Sequence, residues 1–383
     1  MDKPTVQDIF HRFYPAYLDQ YSPSPVQAKV AHNIMNCKTG AYGANVCVCE
    51  DCGFVQIHYN SCRNRCCPMC QAVPKEMWMD ARREDVLDAP YFHLVFTVPD
   101  ILNPVIYSNQ RLLYDALYHA ASSTISELTA DPKHLGAKVG YICILHTWGS
   151  EMNFHPHIHT ILLGGGLASN NQWKDNGENF FLPIRVISKM FRGKYLEELK
   201  RLWEEDKLVF HGTAEKFRSH YTFKELLDSC YGMDWIPHCK KTFNGAQTVI
   251  KYLGKYTHRI AVSNHRIVRM DDDTVTFLVK DYRNEGQWKE LTISGVEFVR
   301  RFLMHVPPRR FVRIRHYGLL CSRTKSQKLT LCRNLLGCKK YLSKLRDMEM
   351  PEILEHLYGI KVCVCKACGG HLGKPQMKMP LRC

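Results

Sequence analysis

The chain has 383 residues, with 52 Lys and Arg against 37 Asp and Glu, a formal net charge of +15. Hydrophobic residues make up 45% and aromatics 11%, which excludes global disorder and allows two or three cored domains. The basic surplus favours a polyanionic partner, nucleic acid first, and no apolar run approaches the ~20 residues of a membrane span.

The opening MDKPTVQDIF lacks the basic-then-apolar layout of a secretory signal, so a soluble cytoplasmic protein is expected. Residues 1–36 read as a helical segment broken at Ser22-Pro23-Ser24-Pro25. Residues 37–88 read as a metal-stapled domain, dense in Cys, Gly and Asn up to 70 and then a polar helix over 72–88. Residues 89–260 read as a palm. Its first strand, Tyr91 to Val98, is rich in aromatic and β-branched residues and is bounded by Pro90 and Pro99. A helix near 108–128 follows, then strands over Val139–Trp148 and His155–Leu163, the latter ended by Gly164-Gly165-Gly166. A polar, partly helical insertion spans 167–243, and a short helix spans Gly245–His258. Residues 261–320 form a basic, β-rich extension, with strands near 265–270, 274–280 and 288–293 and a helix near 295–304. Residues 321–383 read as a helical region with a cysteine-rich tail. The order predicts an α+β architecture, an antiparallel sheet carrying helices on one side.

Seven of the eighteen cysteines fall between Cys47 and Cys70. In a reducing compartment such clustering points to metal ligation rather than disulfides. Cys49-x-x-Cys52 and Cys67-x-x-Cys70 are two knuckles separated by 14 residues, and they read together as one tetrahedral zinc shell. Cys37, Cys47, Cys62 and Cys66 remain in the same segment as candidates for a second zinc. The tail, Cys363-Val-Cys365-Lys-Ala-Cys368-Gly-Gly-His371 with Cys383, is a candidate for a further knuckle. Arg63 and Arg65 lie between ligands and would be held out for phosphate contact.

The stretch Asn153-Phe-His155-Pro-His157-Ile-His159 has strand character. Side chains two apart on a strand share a face, about 6–7 Å apart. His157 and His159 can therefore converge on one divalent cation, with Ile158 pointing into the core behind them. His155 lies about 13 Å from His159 unless a bulge intervenes, and is a candidate for supporting or DNA contacts. A third ligand must come from elsewhere, with His93, His146, Glu151 and Gln247 all open. In Tyr252-Leu-Gly-Lys-Tyr256-Thr-His-Arg259 the two tyrosines have helical i, i+4 spacing, and Lys255 and Arg259 make the surrounding face basic. A tyrosine near a bound cation can attack a phosphodiester and store the bond energy in a covalent intermediate.

His-x-His on a strand with paired tyrosines on a helix resembles the HUH endonuclease superfamily, U being Ile158. More narrowly, the chain resembles the two-tyrosine rolling-circle insertion-sequence transposases. Their zinc domain carries Ser-Cys-Arg-Asn-Arg-His-Cys-Pro-x-Cys-Gln, and here Ser61-Cys-Arg-Asn-Arg-Cys66-Cys-Pro-Met-Cys-Gln71 stands, with Cys66 for the His. Tyr91 to Pro99, His155 to His159 with its glycine triplet, and Tyr252 to Arg259 match in order, over roughly residues 5–335. The resemblance implies a ferredoxin-like HUH palm with Mg²⁺ or Mn²⁺ at His157 and His159. It implies Tyr252 and Tyr256 as nucleophiles that cut single-stranded DNA at element ends and target, leaving a 5′-phosphotyrosine and a free 3′-OH. Which tyrosine attacks first stays open.

Arg300-Arg301 and the run Pro307 to His316 are strongly basic, and Arg309 and Arg310 are expected to contact DNA together with Arg300, Arg301, Arg313 and Arg315. Two rival readings are a replication initiator of the same chemistry, which the zinc module disfavours, and a non-catalytic zinc-dependent DNA-binding regulator. The second predicts loss of one of His157, His159, Tyr252 or Tyr256, and all four are present.

Overall fold

The computed structural model of the chain describes residues 3–175, 182–235, 238–243, 249, 254, 260–281, 286–374 and 376–378. Helix α1 (Val6–Gln20) begins at Thr5, whose side chain accepts from the Asp8 N–H while the Asp8 side chain accepts from the Thr5 N–H. The expected break follows, and α2 (Pro25–Met35) restarts with Ser24 as its cap and Pro25 in its first turn. Hairpin β1 (Ala44–Val48) and β2 (Val55–Tyr59) and helix α3 (Ala72–Arg83) come next.

The central layer is antiparallel. Its elements are β3 (Tyr91–Thr97), α4 (Asn103–Ser108), α5 (Gln110–Ala130), β4 (Lys138–Trp148), β5 (Phe154–Leu167), β6 (Trp173–Asp175), α6 (Ile184–Glu204), α7 (His220–Gly232) and β7 (His238–Phe243). Strands β4, β5, β3 and β7 pair in that spatial order, and β6 pairs with β5. Strand alternation sorts the side chains between two faces. Leu94, Phe96, Leu145, Ile158 and Leu162 pack with Leu117, Ala121, Phe191 and Tyr195 of α5 and α6. Ile142, Ile144, Ile161 and Leu163 face the other way and pack with Met79 of α3.

Two expectations are corrected. The glycine triplet does not end β5, which runs to Leu167. A Cβ at Gly164 would meet Pro90 and the Phe92 ring, and one at Gly165 the Trp173 ring, so the triplet serves close packing. The insertion also holds more than polar helices. Phe191, Tyr195, Leu196 and Leu199 of α6 are buried in the main core, and His238–Phe243 forms a sheet strand beside β3. The helix expected over Gly245–His258 lies outside the described residues except Val249 and Gly254, both helical.

Beyond it, β8 (Ile267–Met270), β9 (Thr274–Asp281) and β10 (Gln287–Ser294) form a second antiparallel sheet, followed by α8 (Gly295–Met304). Phe10 and Phe13 of α1 pack into one core with Phe277, Phe298 and Phe302, so the N-terminal helices are completed by residues 260–306. Strand β11 (Ile314–Gly318) pairs with β4 at the edge of the central sheet. After α9 (Lys325–Leu336) and α10 (Met350–Tyr358), the tail returns to the N-terminal hairpin, where β12 (Gln376–Lys378) pairs with β1.

Candidate metal centre and nucleic-acid cleft

His157 and His159 lie on the α3-facing side of β5, and Ile158 is fully buried behind them as expected. The third member is His146 of β4, directly opposite His157, and one nitrogen from each of the three falls within 4.8 Å of the others. A bulge in β5 creates this register. Trp148 pairs with Phe154 but His146 pairs with His157, so His155 and Pro156 together oppose Thr147. Pro156 has no N–H to give the ladder, and the bulge suits it. His155 bonds Asp100 at 3.3 Å and stands outside the triad. Of the other proposed third ligands, exposed Glu151 lies 3.9 Å from Lys289, and Gln247 is outside the described residues.

The donor set fits a cation. His157 Nδ1 donates to the His155 carbonyl at 2.7 Å, which leaves Nε2 with a lone pair toward the centre. The Nε2 atoms of His157 and His159 are 3.0 Å apart. Two nitrogens about 2.1 Å from one ion at a right angle lie ~3.0 Å apart, the edge of an octahedron with open positions. His93 is not a third ligand but a support, its Nε2 lying 2.9 Å from His159 Nδ1. For His159 Nε2 to hold an ion, its Nδ1 must carry the proton and His93 must accept it. Burial pushes His157 down to about 3 and holds His159 well below its ordinary value, so both rings are neutral at pH 7.

These histidines form the floor of a cleft of about 900 Å³. Arg65 and Lys75 stand on one wall, Lys280, Arg266 and Trp288 on the other, and no described lining residue is acidic. The β4–β5 turn fixes the second wall, since Arg266 donates to the Ser150 carbonyl at 2.6 Å. Gly254, two residues from each of Tyr252 and Tyr256 in sequence, also lines the cleft. A Cβ there would strike the Met79 side chain of α3, which would have to move aside, so glycine suits this close approach. Tyr252, Tyr256, Lys255 and Arg259 lie outside the described residues.

The cysteines are partitioned differently from the sequence expectation. Cys37, Cys62, Cys67 and Cys70 form one group, and Cys49, Cys52, Cys365 and Cys368 another. The hairpin separates them: Cys49 and Cys52 sit in its turn, Cys37 and Cys62 flank its base, and five-residue strands span ~16 Å. A zinc–sulfur distance of about 2.3 Å gives a tetrahedral edge of ~3.8 Å, and Cys62 Sγ to Cys70 Sγ is 3.8 Å. Hydrogen bonds from Cys62 and then Cys67 hold the Cys70 thiol well below its ordinary range. Cys47 and Cys66 join neither group. Cys47 packs against Cys365 and Leu372, and Cys66 is buried beside Arg313 and Arg65, with burial pushing its thiol up.

The basic run divides into two kinds. Arg309 and Arg310 are exposed, as is Arg63. Arg315 is occupied with Asp115 and lies 4.0 Å from the centroid of the Tyr118 ring, and the Arg313 carbonyl accepts from the Leu145 N–H at 3.0 Å. Arg65 reaches the Phe311 carbonyl at 2.5 Å, joining the cysteine module to this run.

An antiparallel sheet with three histidines converging on its α3-facing side, beside a cysteine-clustered N-terminal module, defines an α+β protein with candidate metal-binding groups. Comparison with known proteins identifies the kind. Residues 140–328 match the family described as "Putative transposase", and residues 9–98 match "Transposase zinc-binding domain". The chain is 40% identical over 369 residues to "Putative transposase y4qJ" of Sinorhizobium fredii (strain NBRC 101917 / NGR234), covering 95% of this chain and 93% of that protein. It is 30% identical over 309 residues to the "Transposase for insertion sequence element IS801" of Pseudomonas savastanoi pv. phaseolicola, covering 79% and 72%. The chain belongs to this family of insertion-sequence transposases. Among solved structures, conjugative relaxase TrwC in complex with oriT DNA matches at TM-score 0.25 and 12% identity, over 43% of this chain and 71% of that one, too slight a likeness to carry an argument.

Proposed function

We propose that this transposase nicks and rejoins single-stranded DNA for rolling-circle-type transposition, using Tyr252 and Tyr256 as nucleophiles and His146, His157 and His159 as cation ligands. The observation that carries the reading is one cleft lined by the three histidines, by four basic side chains and by Gly254 of the tyrosine motif. A tyrosine oxygen attacks the phosphorus in line, a P–O bond to tyrosine forms, and the 3′ oxygen leaves and takes up a proton. Attack by a 3′-OH on the 5′-phosphotyrosine reverses the step and rejoins the strand. A bound divalent cation polarises the phosphate and offsets its developing charge. His157 and His159, held neutral by burial, keep their lone pairs for it. Three imidazoles favour Mn²⁺ or a later transition metal over Mg²⁺ in affinity. Arg65, Lys75 and Lys280 bind the phosphate backbone from the walls, and Arg63, Lys255, Arg259, Arg309 and Arg310 extend the contact. The partners are the element ends and the target DNA, met in the cytoplasm. No described helix is long and apolar enough to cross a membrane.

The test is incubation of the full chain with labelled single-stranded element ends and Mn²⁺ or Mg²⁺, beside Tyr252→Phe, Tyr256→Phe and His157→Ala. A covalent adduct mapped by mass spectrometry to one of the tyrosines, and missing from His157→Ala, is expected. Cognate DNA bound without any adduct would instead identify a non-catalytic DNA-binding regulator.

A further inference from the structure

The second cysteine group straddles the matched segments: Cys49 and Cys52 lie within the zinc-binding match, which ends at residue 98, whereas Cys365 and Cys368 lie beyond residue 328, where the other match ends. We propose that Cys49, Cys52, Cys365 and Cys368 bind a structural zinc ion that clasps the C-terminal tail onto the N-terminal module. The two contributing segments are the same device. Each reads Cys-x-x-Cys-Gly, and Gly53 (φ 68°) and Gly369 (φ 77°) both take the left-handed conformation that turns the knuckle. In each, the glycine N–H closes back on the carbonyl of the first cysteine, Gly53 to Cys49 and Gly369 to Cys365, both at 3.0 Å. The thiols alternate across the gap: Cys49 Sγ lies 3.5 Å from Cys368 and Cys52 Sγ 3.8 Å from Cys365, the edges of a zinc–thiolate tetrahedron.

The surroundings support thiolates rather than thiols. The Ala367 N–H points at Cys365 Sγ and the Gly370 N–H at Cys368 Sγ, both at 3.4 Å, as backbone donors do around metal-bound sulfur. The apolar support is slight, since among the described residues the buried cluster here is Cys47, Cys49, Cys365 and Leu372, while Val48, Val55, Ile57 and Tyr59 of the hairpin are exposed. A segment with so little core needs a metal to hold its shape. The clasp closes a very long loop, joining positions 313 residues apart, and orders the pairing of β12 with β1.

Zinc is counted by mass spectrometry on the full chain in a His157→Ala/His159→Ala background, so that only thiolate-held metal remains. Two zinc ions per chain are expected, falling to one in Cys49→Ser/Cys52→Ser and equally in Cys365→Ser/Cys368→Ser. Limited proteolysis separates a shared site from two independent ones. The N-terminal pair of substitutions should expose the tail beyond Tyr358 to cleavage, and a tail that stays protected in a variant holding one zinc overturns the proposal. Alkylation of the unaltered chain tests the same point without mutation. Cys52 and Cys368 are exposed yet should react with N-ethylmaleimide together and only after chelation, and prompt labelling of either in zinc-replete protein refutes the clasp.

Discussion

His93→Phe should weaken divalent-cation binding 10–100-fold while leaving the fold in place. The His93 ring is buried, stacks on His159 with centroids 5.1 Å apart at 15°, and places Nε2 2.9 Å from His159 Nδ1. Phenylalanine keeps the stacked ring but offers no acceptor, so the Nδ1–H needed for ligation by Nε2 would be buried without its partner. Losing such a support costs about 10–100-fold in metal affinity, or about 1.4–2.7 kcal/mol. That agrees with the roughly 1–3 kcal/mol of a stranded buried donor. Titration calorimetry with Mn²⁺ on the full chain reads the affinity, and nicking of single-stranded DNA should recover at raised Mn²⁺. His93→Gln provides an amide oxygen that can accept the same proton and should recover much of the loss. Phenylalanine binding as tightly as wild type, or glutamine binding less tightly than phenylalanine, would refute the positioning role.

Trp288 is exposed at the cleft wall, with Lys280 Nζ 5.4 Å from its ring centroid, and Trp288→Ala should cost about 1–3 kcal/mol in single-stranded DNA affinity by anisotropy, with a smaller loss on duplex. Arg309→Ala/Arg310→Ala should lower the salt slope of binding by about 0.7 per lost phosphate contact without changing thermal stability. Arg315→Ala should do the reverse, removing roughly 1 kcal/mol of stability through its Asp115 and Tyr118 contacts. Burial depresses His157 to about 3 and both His305 and His316 to about 4. Between about pH 6.5 and 3 the unfolded chain binds protons that these rings refuse when folded. Stability of the metal-free chain should therefore fall as pH drops through that window and stay level with respect to these groups above it, as followed by denaturant titration. Gly254→Ala places a methyl group against Met79 and should reduce nicking, and Met79→Ala in the same chain should restore part of it.

Much of the framework was legible because it depends on neighbours in sequence. The Pro90 and Pro99 boundaries, the Ser24-Pro25 restart and the burial of Ile158 behind His157 and His159 follow from local periodicity, and the structure has them all. What escaped depends on register and return. A regular β4–β5 hairpin that pairs Trp148 with Phe154 would place His146 opposite Pro156, off the triad; the single bulged residue brings it opposite His157. Nothing local marks that bulge except Pro156, which cannot serve a regular ladder.

The cysteine partition failed for a related reason. Counting 14 residues between two knuckles treats the intervening chain as slack, whereas the β1–β2 hairpin is a stiff arm that carries Cys49 and Cys52 away from Cys67 and Cys70. A local signal was nevertheless present. Gly follows Cys52 and Cys368, while Gln71 follows Cys70, and a left-handed glycine is part of how a knuckle aims its second thiolate. In this chain the two knuckles built alike are the ones that meet, and the glycine after each Cys-x-x-Cys marks both Cys52 and the distant Cys368. That leaves Cys67 and Cys70 to find Cys37 and Cys62 at the hairpin's base, where the N–H of Cys62 lies 3.5 Å from Cys37 Sγ and that of Asn64 3.4 Å from Cys62 Sγ. In both clusters the stiff β1–β2 hairpin, rather than spacing along the chain, decides which cysteines can reach one another.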